Sequence, residues 1–228
     1  MNAMILAAGK GERMRPLTLT TPKPLLKAGG KALIIHHLER LKSAGFCQVV
    51  INHAWLGEQI ESALNDGSRF GLVITYSREQ QPLETAGGIL QALPLLTGDG
   101  QDWFVVVNGD IWSDFDLADL TPPSGETTAL LVMVDNPPHH PDGDFGLDHR
   151  GRVHDHGNPA LTFSGISLLH RSLFDGLEHG KRKLAPILKA AMERHQVEGI
   201  HHQGLWFDIG TPERLNELDR QLARLEGA

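Results

Sequence analysis

The chain has a single cysteine, Cys47, so it can form no intramolecular disulfide. Cys47 lies in an apolar run, where a buried thiol is expected. No stretch approaches the ~20 apolar residues that a membrane-spanning helix needs. Positive charge is not in surplus either. Against 28 Asp and Glu stand 21 Lys and Arg, a formal net charge of -7, which disfavours a uniformly basic nucleic-acid binder and leaves room only for a local basic pocket. The short apolar start, Met1 to Ala8, has no basic region before it and runs straight into Gly9-Lys10-Gly11, so it does not read as a secretory leader. Repeats, low-complexity tracts and linkers are also missing. These absences predict a cytoplasmic protein that binds neither membrane nor nucleic acid.

What is present is an ordinary globular balance, 40% hydrophobic and 21% charged over 228 residues. That length predicts one large domain, or one with a small insertion, whose core needs no disulfide or metal. Short apolar runs alternate with helix-period segments. Strands are expected at Ala3 to Ala7, Val49 to Ile51, Leu72 to Tyr76, Trp103 to Val107, Ala129 to Val134 and Phe163 to Leu169. Between them, helices are expected at Leu33 to Ala44 with Gly45 as a cap, around Leu56 to Leu64, and around Ile89 to Leu96. Leu184 to Met192 is the clearest amphipathic segment. Two short strands are expected around Gln203-Gly204. A last helix starts with Thr211 as N-cap and Pro212 in its first turn, with Leu215, Leu218, Leu222 and Leu225 on one apolar face. The segment from Asn136 to Asn158 breaks the rhythm and reads as a loop plus a hairpin tipped by Arg150-Gly151, lying over a site. Trp103 and Trp206 are expected in the core, and Trp55 in packing or at a pocket. The fold class is α/β: a single Rossmann-like, mixed and mainly parallel sheet flanked by helices.

The chemistry concentrates where the first strand ends. Gly9 and Gly11 flank Lys10, and Arg13, Arg15 and Lys23 follow closely. Small residues let backbone N–H groups approach an anion, and the cations neutralise what those donors cannot. A Walker A loop is excluded because one residue separates the glycines. The dinucleotide fingerprint is excluded because Met14 stands where its third glycine belongs. A solvated loop remains the plain alternative.

The longer run weighs against that alternative. Leu6-Ala7-Ala8-Gly9-x-Gly11-x-Arg13-x-x-Pro16-Leu17-Thr18, followed by Thr21-Pro22-Lys23-Pro24, resembles the signature of the sugar-1-phosphate nucleotidyltransferases. The order of the remaining chain is similar to that family over essentially all of residues 1–228. The resemblance implies that Gly9, Gly11 and Glu12 wrap a nucleoside triphosphate, that Arg13 grips its phosphates, and that Lys23 neutralises charge at the reacting centre. Arg13 and Lys23 are thus the implied catalytic cations. After Thr211 one helix remains, so a fused acyltransferase domain of hexapeptide repeats is not expected. A monomer or small homo-oligomer is.

Two aspartates stand beside glycines. Asp110 follows a buried strand in Val107-Asn108-Gly109-Asp110, where open α/β sheets place ligands. Asp208 stands in Trp206-Phe207-Asp208-Ile209-Gly210-Thr211. An Asp beside Gly is commonly a turn or cap residue. The family resemblance instead implies that Asp110 and Asp208 hold Mg²⁺, which suits carboxylate and phosphate oxygens. It also implies base reading by Glu79 and by the backbone at Glu84 and Thr85, and sugar contacts from Asn108, Gly146 and Asp155. Two departures mark the sugar side: Asp155-His156-Gly157 replaces a usual Glu-Lys pair, and Phe163 replaces an Asn.

With Asn52 to Leu56, Pro82 to Thr85 and Thr162 to Ile166, these departures resemble family members that use UTP and N-acetylmuramic acid 1-phosphate in cell-wall recycling. The missing Lys is expected either to make room for the lactyl ether or to stop mis-pairing with it. The same chemistry with GTP and mannose 1-phosphate, or with dTTP or UTP and glucose 1-phosphate, is the alternative. A silent regulatory subunit is disfavoured because Arg13, Lys23, Asp110 and Asp208 are all retained. The thirteen histidines fit no zinc spacing, and solvated loops are expected for most.

Overall fold

In the computed structural model, which describes residues 1–157 and 159–226, the chain opens with strand β1 (Asn2–Leu6). A run of three short 3₁₀ turns leads to the small ribbon β2 (Lys27–Ala28) and β3 (Lys31–Ala32), then helix α1 (Leu33–Ser43). There follow β4 (Gln48–His53), α2 (Gly57–Leu64), β5 (Val73–Arg78), α3 (Glu84–Leu96), β6 (Trp103–Asn108), β7 (Ile111–Ser113) and β8 (Ala129–Val134). The second half holds β9 (Phe145–Leu147), β10 (Val153–His154), β11 (Ala160–His170), α4 (Ala185–Glu193), β12 (Val197–His202), β13 (Trp206–Asp208) and α5 (Pro212–Glu226).

Nine strands form one sheet in the order β10-β9-β11-β6-β1-β4-β5, with β8 beside β11 and β12 beside β8. Its central strands β6, β1, β4 and β5 are parallel. β11 enters antiparallel between β6 and β8. The sheet is therefore mixed around a parallel centre, as the alternating sequence pattern predicts. Alternation along the strands sorts the side chains to two faces. Ala3, Ile5, Val49, Ile51, Val105 and Val107 join one buried cluster with α1 residues Ile34, Leu38 and Leu41. Met4, Val50, Phe104 and Val106 join a second, with Ala86, Ile89 and Leu90 of α3 and Leu188, Ala191 and Met192 of α4. A third cluster, outside the sheet, gathers Met14, Leu26, Leu33, Trp112, Ile209, Leu215, Leu218 and Leu222. Among the described residues, no helix is long and apolar enough to cross a membrane.

Several expectations are corrected. Cys47 is exposed, since it sits in the connection before β4, between the buried Phe46 and Val49. Leu225 is 49% exposed because the third cluster ends at Leu222. Trp103 and Trp206 are half-buried at the edge of the first cluster, and Trp55 is exposed, its Nε1 donating to the Thr18 carbonyl (3.1 Å). The hairpin exists as β9 and β10, with Gly151 left-handed near its tip, but it extends the sheet beyond β11 and touches β12 through Arg152 and Glu198. Its expected last residue, Asn158, lies outside the described residues. Strand β7, unread in the sequence, pairs antiparallel with β13 and sets Asp208 opposite Ile111.

Candidate active site

Sheet register creates the site. Leu6 of β1 pairs with Asn52 of β4 on one side and Asn108 of β6 on the other, so three strand ends stand abreast. Beyond them opens a cavity of ≈ 810 Å³. Such a position, past the carboxyl ends of parallel strands, is where open α/β sheets bind ligands.

One wall is the glycine loop, residues 7–13. Gly11 is left-handed at φ 63, and a Cβ there would lie 2.8 Å from Thr18 Cγ2, so only glycine fits. Thr18 Oγ1 donates to the Gly11 carbonyl (2.7 Å) and fixes the loop from outside. At Gly9 a Cβ would meet no protein atom within 4 Å, so the space there belongs to the cavity side of the loop. Arg13 is exposed and, among the described residues, makes no ion pair. Glu12 is exposed and lies 3.7 Å from Arg15.

The floor holds Lys23 and Asp110. Lys23 is 8% exposed, and its Nζ donates to Asp110 Oδ2 at 2.7 Å. Gly109 lets β6 turn sharply here: its N–H donates to the Leu6 carbonyl (2.9 Å), and a Cβ would lie 2.5 Å from that oxygen. Asn108 rests on the left-handed Gly165 of a bulge in β11, whose Cβ would lie 2.6 Å from Asn108 Nδ2.

At the other end, Asn52 and Glu79 form a buried pair. Asn52 Nδ2 donates to Glu79 Oε1 (2.6 Å), while Asn52 Oδ1 accepts from the Ala7 N–H (2.9 Å). Glu79 Oε2 accepts from the Leu83 N–H (2.9 Å). Both carboxylate oxygens are thus engaged, each with one further lone pair. Asn52 ties the glycine loop to this end, a role the sequence reading missed. Its signal was a polar residue closing an apolar strand. Glu84 has φ 62, rare for a side-chain-bearing residue, and with Thr85 it lines the cavity at the start of α3. A strap at residues 180–182 crosses the same helix end. The Arg182 carbonyl accepts from the Ala86 and Gly87 N–H groups (3.0 and 3.2 Å), and the strap brings Lys181 to the cavity, 3.6 Å from Glu84. A Cβ on Gly87 would collide with the Gly180 carbonyl, and one on Gly88 would lie 2.6 Å from Glu79 Oε1.

Of the residues expected from the sequence, Gly9, Gly11, Glu12, Arg13, Lys23, Glu79, Glu84, Thr85, Asn108 and Asp110 all line this cavity. Three do not. Gly146 is packed against Gly157, whose Cα would lie 2.6 Å from an added Cβ. Asp155 turns to α4, where Lys189 Nζ lies 2.6 Å away. Asp208 does not line the cavity, although Gly210 two residues on does, and it is held by Arg214. It nonetheless stands close to Asp110 along the chain fold, since the Ile209 N–H donates to the Asp110 carbonyl (2.9 Å). The paired histidines are spent on neighbouring aspartates: His140 on Asp144, His154 on Asp148, His201 on Asp135 and His202 on Asp114.

Comparison with known proteins agrees with this geometry. Residues 2–157 match the family model described as Nucleotidyl transferase. The chain is 54% identical over 225 residues to the N-acetylmuramate alpha-1-phosphate uridylyltransferase of Neisseria meningitidis serogroup B, covering 95% of this chain and 96% of that one. It is 32% identical to the mannose-1-phosphate guanylyltransferase of Mycobacterium tuberculosis, covering 93% of this chain but only 62% of that longer protein. The crystal structure of HddC from Yersinia pseudotuberculosis complexed with GMP-PN shares the fold, with a TM-score of 0.78 at 20% identity over 96% of this chain and 98% of that one. A glycine loop, a buried lysine and an acid at three adjoining strand ends, together with these matches, make the chain an enzyme that belongs to the nucleotidyl transferase family.

Proposed function

We propose that this enzyme transfers a uridylyl group from UTP to N-acetyl-α-muramic acid 1-phosphate, giving UDP-N-acetylmuramic acid and pyrophosphate. The observation that carries the reading is the 54% identity to the Neisseria uridylyltransferase along nearly the full length of both chains. A phosphate oxygen of the sugar phosphate attacks the α-phosphorus of UTP, and the bond from that phosphorus to the bridging oxygen of the β-phosphate breaks. The nucleophile is already an anion, so catalysis is positioning and electrostatics, with no covalent intermediate.

In this reading the backbone of Gly9 and Gly11 cradles the triphosphate, and the exposed Arg13 closes on it. Lys23, fixed by Asp110, presents fixed positive charge beneath the reacting phosphates. Glu79, held by Asn52, accepts from the base, with the backbone at Glu84 and Thr85 beside it. The acids fit Mg²⁺: two carboxylates joined through paired strands supply hard oxygen donors. Among the described residues no third His, Cys, Asp or Glu completes a metal site, so phosphate oxygens and water would fill the shell. Asp110 and Asp208 would hold the ion, which supplies neutralisation of charge between the two phosphates. Asn108 stands where the sugar would lie; Gly146 and Asp155 would need the hairpin to approach the cavity to join it. We place the reaction in the cytoplasm, returning muramic acid from the cell wall to the nucleotide-sugar pool.

The test is pyrophosphate release with Mg²⁺, crossing UTP, dTTP, GTP and CTP with N-acetylmuramic acid, N-acetylglucosamine, glucose and mannose 1-phosphates. The expected result is a strong preference for UTP with the muramate. Preference for another pair would overturn the substrate and keep the mechanism.

A further inference from the structure

Arg214 is held in a way that the transfer chemistry alone does not require. It sits in the first turn of α5, and its Nη1 donates both to Asp208 Oδ2 and to His139 Nε2 (2.6 Å). Its guanidinium lies against Gly210, a residue of the cavity wall, without itself lining the cavity. A Cβ on Gly210 would collide with Nη2, and Gly210 has no left-handed φ. What this position needs from glycine is therefore room for the guanidinium. Among the described residues Nη2 makes no hydrogen bond. The side chain is only 19% exposed, so a nearly buried cation keeps an unused donor beside the cavity.

The cations that line the cavity have other tasks. Lys23 is bound to Asp110, Lys181 stands beside Glu84, and Lys10 and Arg13 belong to the glycine loop. The sugar proposed above differs from N-acetylglucosamine by a lactyl ether that ends in a carboxylate. A site for that sugar must pair the extra negative charge, and the four cations of the lining are already matched by Glu12, Glu79, Glu84 and Asp110. A guanidinium is well shaped for a carboxylate, because its donors lie in one plane as a fork.

Resting on the substrate reading above, we propose that Arg214, steadied by His139, is the specificity-determining group that binds the carboxylate of the sugar substrate. Nη1 remains on Asp208 while Nη2 takes the ligand. Gly210, with no side chain, leaves room for the guanidinium in this position.

The experiment compares wild type with Arg214→Met and Arg214→Lys. It measures KM and kcat for the 1-phosphates of N-acetylmuramic acid and N-acetylglucosamine with UTP. It also measures, by calorimetry, the binding of the two UDP-sugar products. With Arg214→Met, KM for the muramate and Kd for UDP-N-acetylmuramic acid rise about 10- to 100-fold, the loss expected for a charge-assisted hydrogen bond. KM for N-acetylglucosamine 1-phosphate and Kd for UDP-N-acetylglucosamine change by no more than about 3-fold, and Arg214→Lys falls between. Any loss of kcat through Asp208 affects both sugars and cancels in the ratio. Equal losses for both sugars, or an unchanged preference, would overturn the assignment and leave the substrate reading standing. A wild-type enzyme with no preference for the muramate would overturn the substrate reading itself.

Discussion

The Lys23–Asp110 pair is where chemistry and stability meet in single side chains. Lys23 is 10% exposed at its side chain and Asp110 41%, so the two partners are not equivalent. Lys23→Met leaves a carboxylate that water still reaches. Turnover is expected to fall about 10²- to 10³-fold, the usual cost of one preorganised electrostatic group, with little change in melting temperature. Removing the acid is different: Asp110→Ala orphans a nearly buried ammonium. Asp110→Asn keeps a hydrogen-bond acceptor for Lys23 and is the cleaner way to remove the carboxylate. A Lys23→Met enzyme with near-normal kcat would remove Lys23 from the reaction. At this scale the sequence is most legible in the glycine loop, because Gly11, Arg13 and Lys23 depend on local backbone and charge. Asn52, Lys181 and Arg214 were not read, because each reaches the site through contacts between segments far apart in the chain. Gly146 and Asp155 were placed by resemblance, while their contacts to Gly157 and Lys189 are set by how the hairpin docks on the sheet and α4.

Among the elements, α1 carries a second consequence of burial. His37 is 5% exposed and, among the described residues, its Nε2 has no hydrogen-bond partner. Burial, with Arg40 and His36 adding, pushes its pKa from 6.5 down to about 4. The folded chain therefore keeps His37 neutral where the unfolded chain takes up a proton. Stability is full above pH 6.5 and falls as the pH drops towards 4, by up to about 3 kcal/mol. Urea midpoints of wild type and His37→Leu at pH 7 and pH 4.5 check this. The variant should lose less stability on acidification, and an equal loss would place the acid sensitivity elsewhere. Element order was legible because apolar period separates strand from helix. β7, β2 and β3 were not, since strands of two or three residues carry no period. The strap over α3 was not read either, because its bonds are to backbone and leave no pattern in side chains.

At the scale of the whole molecule, the last helix supports the nucleotide loop. Met14 is fully buried in the third cluster, beside Leu215, Leu218 and Leu222 of α5. Read from sequence alone, Met14 served only to exclude a dinucleotide fingerprint. In the fold it anchors the far end of the glycine loop beneath α5. A second tie runs from the Gly29 N–H to Asp219 Oδ1 (2.8 Å). Residues at opposite ends of the chain thus share one small core, outside the two that sandwich the sheet. Leu218 is fully buried at its centre, so Leu218→Ala should cost about 2–5 kcal/mol in urea unfolding. Because the cavity opens next to Met14, the same substitution should raise KM for UTP more than KM for the sugar phosphate. An equal loss of stability from Leu188→Ala, in the cluster under α4, should leave the UTP KM near wild type. If both variants shift UTP binding alike, the effect is general loosening of the fold. If only Leu218→Ala does, α5 is the brace that holds the nucleotide loop in its binding shape.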